Sequence, residues 1–365
     1  MKRKKILAGI LSCVMIAVMA GCGGTGPAAT SKAAAGTTGA ETSAKDTGSA
    51  PAASDGEKMV FTITHIGAED HQYNLACEMI NELLQEKTGG RISLQIFPNA
   101  QLGAEREIVE GIIMGSIDMG IVTMDGVVPS WVPDTSVMSI PYLFENKEQA
   151  YDALDHYIGP KLAPAYEAAG IKCLGFVELG FRHFTNNKKP VHTAEDMEGL
   201  IIRVQESPVW FGLCDAVGAV ATPVAINELY TALQQGVVDG QENPLGTIVT
   251  SKFYEVQDYL TLDGHTYGAG SIFMNLNKWN SLSSEDQAIF QECVEQVIPK
   301  QRALVDQMET EWLQTLVDSG IQVDESPDRE TFVKATAGME EKSDIAALFD
   351  DVSIVQGVRD YLAKK

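Results

Sequence analysis

The chain has 365 residues, 45% hydrophobic and 21% charged, with 50 acidic against 27 basic side chains and a formal charge of −23 at pH 7. That length suits one large or two medium α/β domains. So acidic a chain lacks the basic face that nucleic acid requires, which excludes a nucleic-acid partner. An anionic small molecule stays open, because a local site need not share the global sign.

Residues 2–5 read Lys-Arg-Lys-Lys, an apolar run follows over 6–20, and Gly21-Cys22 comes next. A basic start, a short apolar stretch and a small residue before the cut mark a signal peptide over 1–21. The run falls short of the ~20 residues that a membrane-spanning helix needs. Ala20-Gly21-Cys22 resembles a bacterial lipobox, with Met19 where leucine is usual, and predicts lipidation at Cys22. The competing expectation is an ordinary secretory signal cut near Ala20. Residues 22–58 are Gly, Ala, Ser and Thr with scattered charges. Too little apolar area is present there to offset chain entropy, so a flexible tether is expected. The expected location is extracytoplasmic, with the body lipid-anchored to the cell membrane.

The body begins with a strand pattern over 60–65. Asp70 is placed to cap a helix running to about 87, with Leu75, Met79, Leu83 and Leu84 on one face. Residues 91–97 alternate as a strand, 104–114 read as a helix with Ile108, Ile112 and Ile113 inward, and 117–122 read as a short buried strand. This β-α-β-α-β order predicts a parallel sheet with right-handed crossovers.

The pattern then restarts. A strand over 171–178, a short helix opened by Thr193 and Asp196, and a strand over 200–204 form its first part. A helix over 207–217, an extended 220–222, a helix over 227–235 and a strand starting near 238–240 follow. Residues 271–275 look like a strand returning to the first sheet. Ser284 and Gln287 form a capping-box pattern before a helical region over 285–318, which Pro299 is expected to kink or split. The fold class is therefore α/β, with two units facing each other across a cleft and a helix long enough to lie across both.

Ligands of such sheets sit beyond the carboxyl ends of strands. Arg203, Arg182 and Asn243 fall near such ends, as do His65, Thr123 and Met124. A guanidinium presents a planar donor fork that matches a carboxylate. Each arginine has an alternative role, pairing with a structural Asp or Glu. Asn243 can donate and accept, but it can also satisfy its own turn. Glu69, His71 and Gln72 open the first helix and offer mixed donors and acceptors to hydroxyls, and Trp210 is placed to line the cleft. His65 reads equally as a buried core histidine. The chain contains no G-x-S-x-G, H-E-x-x-H, P-loop or early G-x-G-x-x-G motif. Its six histidines lack metal-ligand spacing. An enzyme, a cofactor and a metal are accordingly not expected. Cys77, Cys173, Cys214 and Cys293 lack C-x-x-C spacing, and buried free thiols are expected.

Several blocks stand in order: Gln101-Leu102-Gly103, 115–119 (GSIDM), 140–144 (IPYLF), Gly180-Phe181-Arg182, 195–200 (EDMEGL), Ile202-Arg203-Val204 and 239–244 (DGQENP). Together they resemble the DctP-type solute-binding proteins of tripartite ATP-independent periplasmic (TRAP) transporters, over essentially all of 59–325. The resemblance implies a two-lobed periplasmic-binding-protein fold with a long helix spanning both lobes. Lobe I takes 59–179 plus 268–307, and lobe II takes 180–267 plus 308–365. It implies that Arg203 clamps a carboxylate, with Arg182 the second cleft arginine, Asn243 the cleft asparagine, and Thr123 and Met124 the strand-end pair of the first lobe. Gln205 stands where many members have proline. The implied partners are a small organic acid and the small and large membrane subunits of a TRAP permease, with the membrane reached through the lipid anchor and a monomer expected. Gly180-Phe181-Arg182-His183-Phe184-Thr185-Asn186, with Asp70-His71, is most similar to members that take uronates or aldonates. The alternatives are a C4-dicarboxylate or 2-oxo acid ligand, or a sensor of organic acids.

Overall fold

The computed structural model describes residues 57–365. Cys22, the 1–21 signal and nearly all of the 22–58 tether lie outside the described residues. In chain order the elements open with β1 (Met59–Thr64), α1 (Gln72–Thr88), β2 (Ile92–Phe97), α2 (Glu105–Met114) and β3 (Met119–Thr123). Next come α3 (Lys147–Ala153), α4 (Gly159–Ala168), β4 (Ile171–Asn186), β5 (Ile201–Val204), α5 (Val209–Ala216) and β6 (Val220–Pro223). Then follow α6 (Ile226–Gln234), β7 (Gly240–Asn243), α7 (Leu245–Thr250), β8 (Tyr259–Asn275), α8 (Leu276–Ser281) and α9 (Ser284–Ser319). The chain closes with β9 (Gln322–Asp324), α10 (Arg329–Thr336), α11 (Ser343–Ala346) and α12 (Ser353–Leu362).

The strands form one mixed sheet in the order β2-β1-β3-β8-β4-β7-β5-β6, with β9 added beside β8. The parallel pairing expected of the first unit holds for β2-β1-β3, and β6-β5-β7 is parallel as well. Between these groups the chain departs from the expectation. β4 and β8 are not the short strands over 171–178 and 271–275. They run 16 and 17 residues and pair antiparallel along their whole length. The two strands accommodate glycines such as Gly175 and Gly180 at register shifts, Cys173/Gly175 and Glu178/Gly180. β3 pairs with Gly270–Met274 of β8, whereas β7 pairs with His183–Asn186 of β4. One two-stranded ribbon thus carries a parallel group at each end.

α1 shows how local chemistry sets an element. Its N-cap is His71 rather than Asp70, the imidazole Nδ1 accepting from Tyr73 N–H at 3.1 Å. Gly89 ends it with φ 61°, a conformation that costs glycine little. Its buried stripe is Tyr73, Ala76, Cys77, Ile80 and Leu84, so Leu75, Met79 and Leu83 lie to one side of the inward face.

α9 is a continuous 36-residue helix, capped by Ser283 rather than Ser284 and unbroken at Pro299. Packing on both sides of the proline holds it through. Gln301 exchanges two hydrogen bonds with the Glu178 backbone, and Arg302 forks onto Asp155 at 2.6 and 2.9 Å. Gly175 makes the close approach possible, since a Cβ there would meet Ile298 Cδ1 at 2.6 Å. The helix supplies Phe290, Val294 and Val297 to one apolar core, shared with α1 and β1. It supplies Val305, Trp312 and Leu316 to another, shared with α6 and α7. Cys77, Cys214 and Cys293 are buried and Cys173 is half-buried, all as free thiols. No helix among the described residues is long and apolar enough to cross a membrane.

Candidate functional site

A cavity of about 520 Å³ opens where the carboxyl ends of β1, β3, β5, β6 and β7 converge. The first helical turns of α2, α6 and α7 also reach it. Strand ends leave side chains and backbone N–H groups unpartnered by the sheet, which is why ligands collect there.

Arg203 is the decisive wall residue. It leaves β5 as Ile201-Ile202-Arg203-Val204, flanked by apolar neighbours that place the backbone in the core. The side chain is 4% exposed, and its Nε donates to the Val224 carbonyl at 2.8 Å. Among the described residues it forms no ion pair, so the fork of its terminal nitrogens is left to the cavity. Burial lowers its pKa to about 10, against the pull of Glu242, and it stays charged at neutral pH. A buried, unpaired guanidinium is costly unless an anion arrives to match it.

Arg182 differs. It is 1% exposed and forks onto the Glu242 carboxylate through Nε and Nη2. Nη2 also donates to the Glu242 carbonyl at 2.8 Å and to Asn243 Oδ1 at 3.0 Å. Glu242 in turn faces His265, which is held by Asp263 at 2.8 Å. Burial opposes charge on Arg182, but the Glu242 carboxylate outweighs it and raises the pKa. The alternative role as a partner of a structural carboxylate is therefore the observed one, although the residue also reaches the cavity wall.

Asn243 lines the cavity with its amide committed twice, accepting from Arg182 and donating to Gln241 Oε1. His71 lines it too, its Nε2 lying 3.3 Å from Thr247 Oγ1 on α7. Burial pushes that imidazole down to about 3, so it is neutral. Thr123 lines the wall beside Tyr73, hydroxyl to hydroxyl at 3.4 Å.

The other five sequence candidates stand off the wall. Glu69 is exposed, and only its carbonyl is used, accepting from Asn74. Gln72 is fully buried and donates to the Leu179 carbonyl of β4 at 2.9 Å, which commits its amide nitrogen to the protein. His65 is fully buried against Asn74 at 3.2 Å and is pushed down to about 4 by burial. Met124 turns into the core while its neighbour Thr123 faces the ligand space. Trp210 is sealed beneath Arg182, whose guanidinium sits 5.3 Å from its ring, and donates to the Asp125 carbonyl.

Sequence reading missed several wall residues. Glu105 opens α2, and its Oε1 accepts from Thr123 N–H at 2.7 Å. Gln205, 6% exposed, follows Arg203 at the strand exit. Arg106 and Glu206 pair across the mouth at 3.3 Å. Gln205 lies one residue past the end of β5 and falls under the strand-end rule that selected Arg203, whereas Glu105 opens α2 and is signalled only by its place at a helix start.

The whole of 63–343 matches the model of the bacterial extracellular solute-binding proteins, family 7 (DctP). The chain belongs to this family. A solute-binding protein of Verminephrobacter eiseniae is 38% identical over 270 residues, 74% of this chain and 80% of that protein. Among solved structures, a TRAP periplasmic solute-binding protein from Polaromonas bound to D-erythronate is 33% identical, with a TM-score of 0.77 over 83% of this chain and 98% of that one. The sugar-acid-binding protein DctPAm of Advenella mimigardefordensis, in complex with galactonate, is 29% identical, with a TM-score of 0.80 over 85% and 99%. As a family 7 protein, the chain has the expected two-lobed α/β class of fold. It is a TRAP-type solute-binding protein, of a family that works outside the cytoplasm on small organic acids.

Proposed function

We propose that this chain captures a sugar acid, an aldonate or uronate, and delivers it to the small and large membrane subunits of a TRAP permease. The ligand's carboxylate sits in the fork of Arg203. Arg182 contributes hydrogen-bond donors more than net charge, while Asn243, His71 and Thr123 face the hydroxyls. The protein acts by binding and release, without turnover of the acid. The lobes divide at the β4–β8 ribbon near Gly180 and Gly268, which pair with each other, and close on the ligand there. Lipidation at Cys22, with 22–58 as tether, keeps a monomeric body at the membrane.

The observation that carries this reading is Arg203, nearly fully buried on a cavity wall with no carboxylate among the described residues on its fork. The cavity volume suits a ligand of a few to several carbons. The sugar acids held by the two solved relatives support the ligand class. A thermal-shift screen over aldonates, uronates, C4-dicarboxylates and 2-oxo acids tests it, followed by calorimetry on Arg203→Ala. A charge-assisted contact of roughly 1.5–3 kcal/mol predicts at least a ~10-fold loss of affinity. Stabilisation by dicarboxylates alone would overturn the ligand class, and unchanged binding by the variant would overturn the clamp.

A further inference from the structure

Helix α6 opens without a cap. Its N-cap residue is Ala225, with φ −61° and ψ 145° and no side-chain hydrogen bond to the first turn. Alanine is a poor residue at that position, because it has no side-chain oxygen to accept from the leading N–H groups. Glu228 stands three residues on, where a capping box would pair it with a Ser or Thr hydroxyl, and Ala225 offers none. Glu228 N–H closes back on the Ala225 carbonyl at 3.0 Å. Among the described residues, the N–H groups of Ile226 and Asn227 meet no acceptor.

This turn is part of the cavity wall. Pro223, Val224 and Ala225 lead into it, Ile226, Asn227 and Glu228 form it, and all six line the cavity. The leading N–H groups of a helix point out of its N-terminal end, where the helix dipole is positive. A second, independent observation marks the same place. Arg203, 4% exposed, donates through Nε to the carbonyl of Val224, the residue just before the cap, at 2.8 Å. Among the described residues nothing meets its terminal nitrogens. A buried fork and an uncapped helix start, from two different elements, thus stand side by side. A carboxylate has two oxygens with about four acceptor positions, enough for the fork and for backbone donors together.

We propose that the open first turn of α6 is the second half of the carboxylate site. The backbone N–H groups of Ile226 and Asn227 donate to the same ligand carboxylate that Arg203 grips, and the ligand takes the place of the missing cap. The assignment rests on the sugar-acid reading, with the carboxylate on Arg203, and adds backbone recognition of the anion to it. A side-chain cap and the ligand then compete for the same donors, so capping α6 from within stabilises the empty protein and weakens binding.

The test combines melting curves of the unliganded chain with calorimetry on D-erythronate, D-galactonate, D-galacturonate and D-glucuronate. Ala225→Asn supplies a cap without adding charge. Ile226→Pro deletes one N–H at the first helical position, which suits proline, and the extended Ala225 before it meets proline's demand on its neighbour. Ile226→Ala is the control for the lost side chain. Ala225→Asn should raise the unliganded melting temperature by about 1–3 °C and weaken the acid that the wild type binds by about tenfold. Ile226→Pro should bind that acid about tenfold more weakly than Ile226→Ala. Should Ala225→Asn fail to fold, the two Ile226 variants decide alone. Equal affinities of those two variants, or an Ala225→Asn affinity within about twofold of the wild type, overturns the α6 assignment and leaves the sugar-acid reading intact. Binding of none of the four acids by the wild type overturns both.

Discussion

The two cavity arginines stand on strands separated only by β7, yet they hold opposite electrostatic positions. Arg182 on β4 is locked by a bidentate carboxylate, a carbonyl and an amide. Arg203 on β5 has one carbonyl on Nε. Charge that is already compensated builds the wall, and charge that is left open selects the ligand. The difference arises from the partner strand. Glu242 lies in register beside β4, opposite Phe184, and no acidic residue stands in the matching position next to Arg203.

The sharpest way to break this contrast is Glu242→Gln. Removing one member of a fully buried pair costs about 3–5 kcal/mol, a fall of roughly 10 °C in the melting temperature of the unliganded protein. Arg203→Ala should do the reverse. It removes a charge that no carboxylate among the described residues pairs, so the stability of the unliganded protein should change by less than about 1 kcal/mol, although ligand affinity falls. A large fall on Arg203→Ala, or none on Glu242→Gln, would erase the distinction.

A melting-temperature series against pH sharpens it further. Burial alone would push His265 down, but Asp263 and Glu242 outweigh it and raise its pKa to about 9. The unfolded value is 6.5, so this contribution is complete below pH 6.5 and is lost as pH climbs to about 9. Burial lowers His65, His183 and His71 to about 4, 4 and 3. Their contribution is complete above pH 6.5 and is lost as pH falls through 4. Asp125, raised to about 6 by burial, only partly opposes the acid limb. Stability should therefore peak near pH 6.5, with slopes of at most about 1.4 kcal/mol per pH unit per proton. His265→Gln should flatten the alkaline limb alone.

The smallest effect belongs to the mouth. Arg106 and Glu206 are both more than a third exposed, so Arg106→Ala should cost only ~0.2–1 kcal/mol. Stopped-flow release of ligand should quicken about twofold in low salt, and the change should vanish in high salt.

Much of this was legible in the residues themselves. Alternation found β1 and β2, the strand-end rule found Arg203 and Thr123, and the ordered blocks found the family. What escaped were features decided by partners far along the chain. Nothing local to Gly180-Phe181-Arg182 announces that Glu242, sixty residues on, will neutralise it. Local pattern could not show that glycine-rich 171–186 and 259–275 run as long strands, because each stabilises the other. His71 rather than Asp70 caps α1 because its ring is also held by Thr247, a contact 176 residues away. Cys22 and the tether lie outside the described residues.

The two apolar cores that share α9 have a practical consequence. Neither end of the ribbon can be expressed as a separate, self-sufficient fragment, because each would lack its portion of the same rod. A nick or an inserted loop near the middle of that rod should bring down the whole body in one cooperative step, whereas the same insertion at the exposed turn near Gly199 should be tolerated.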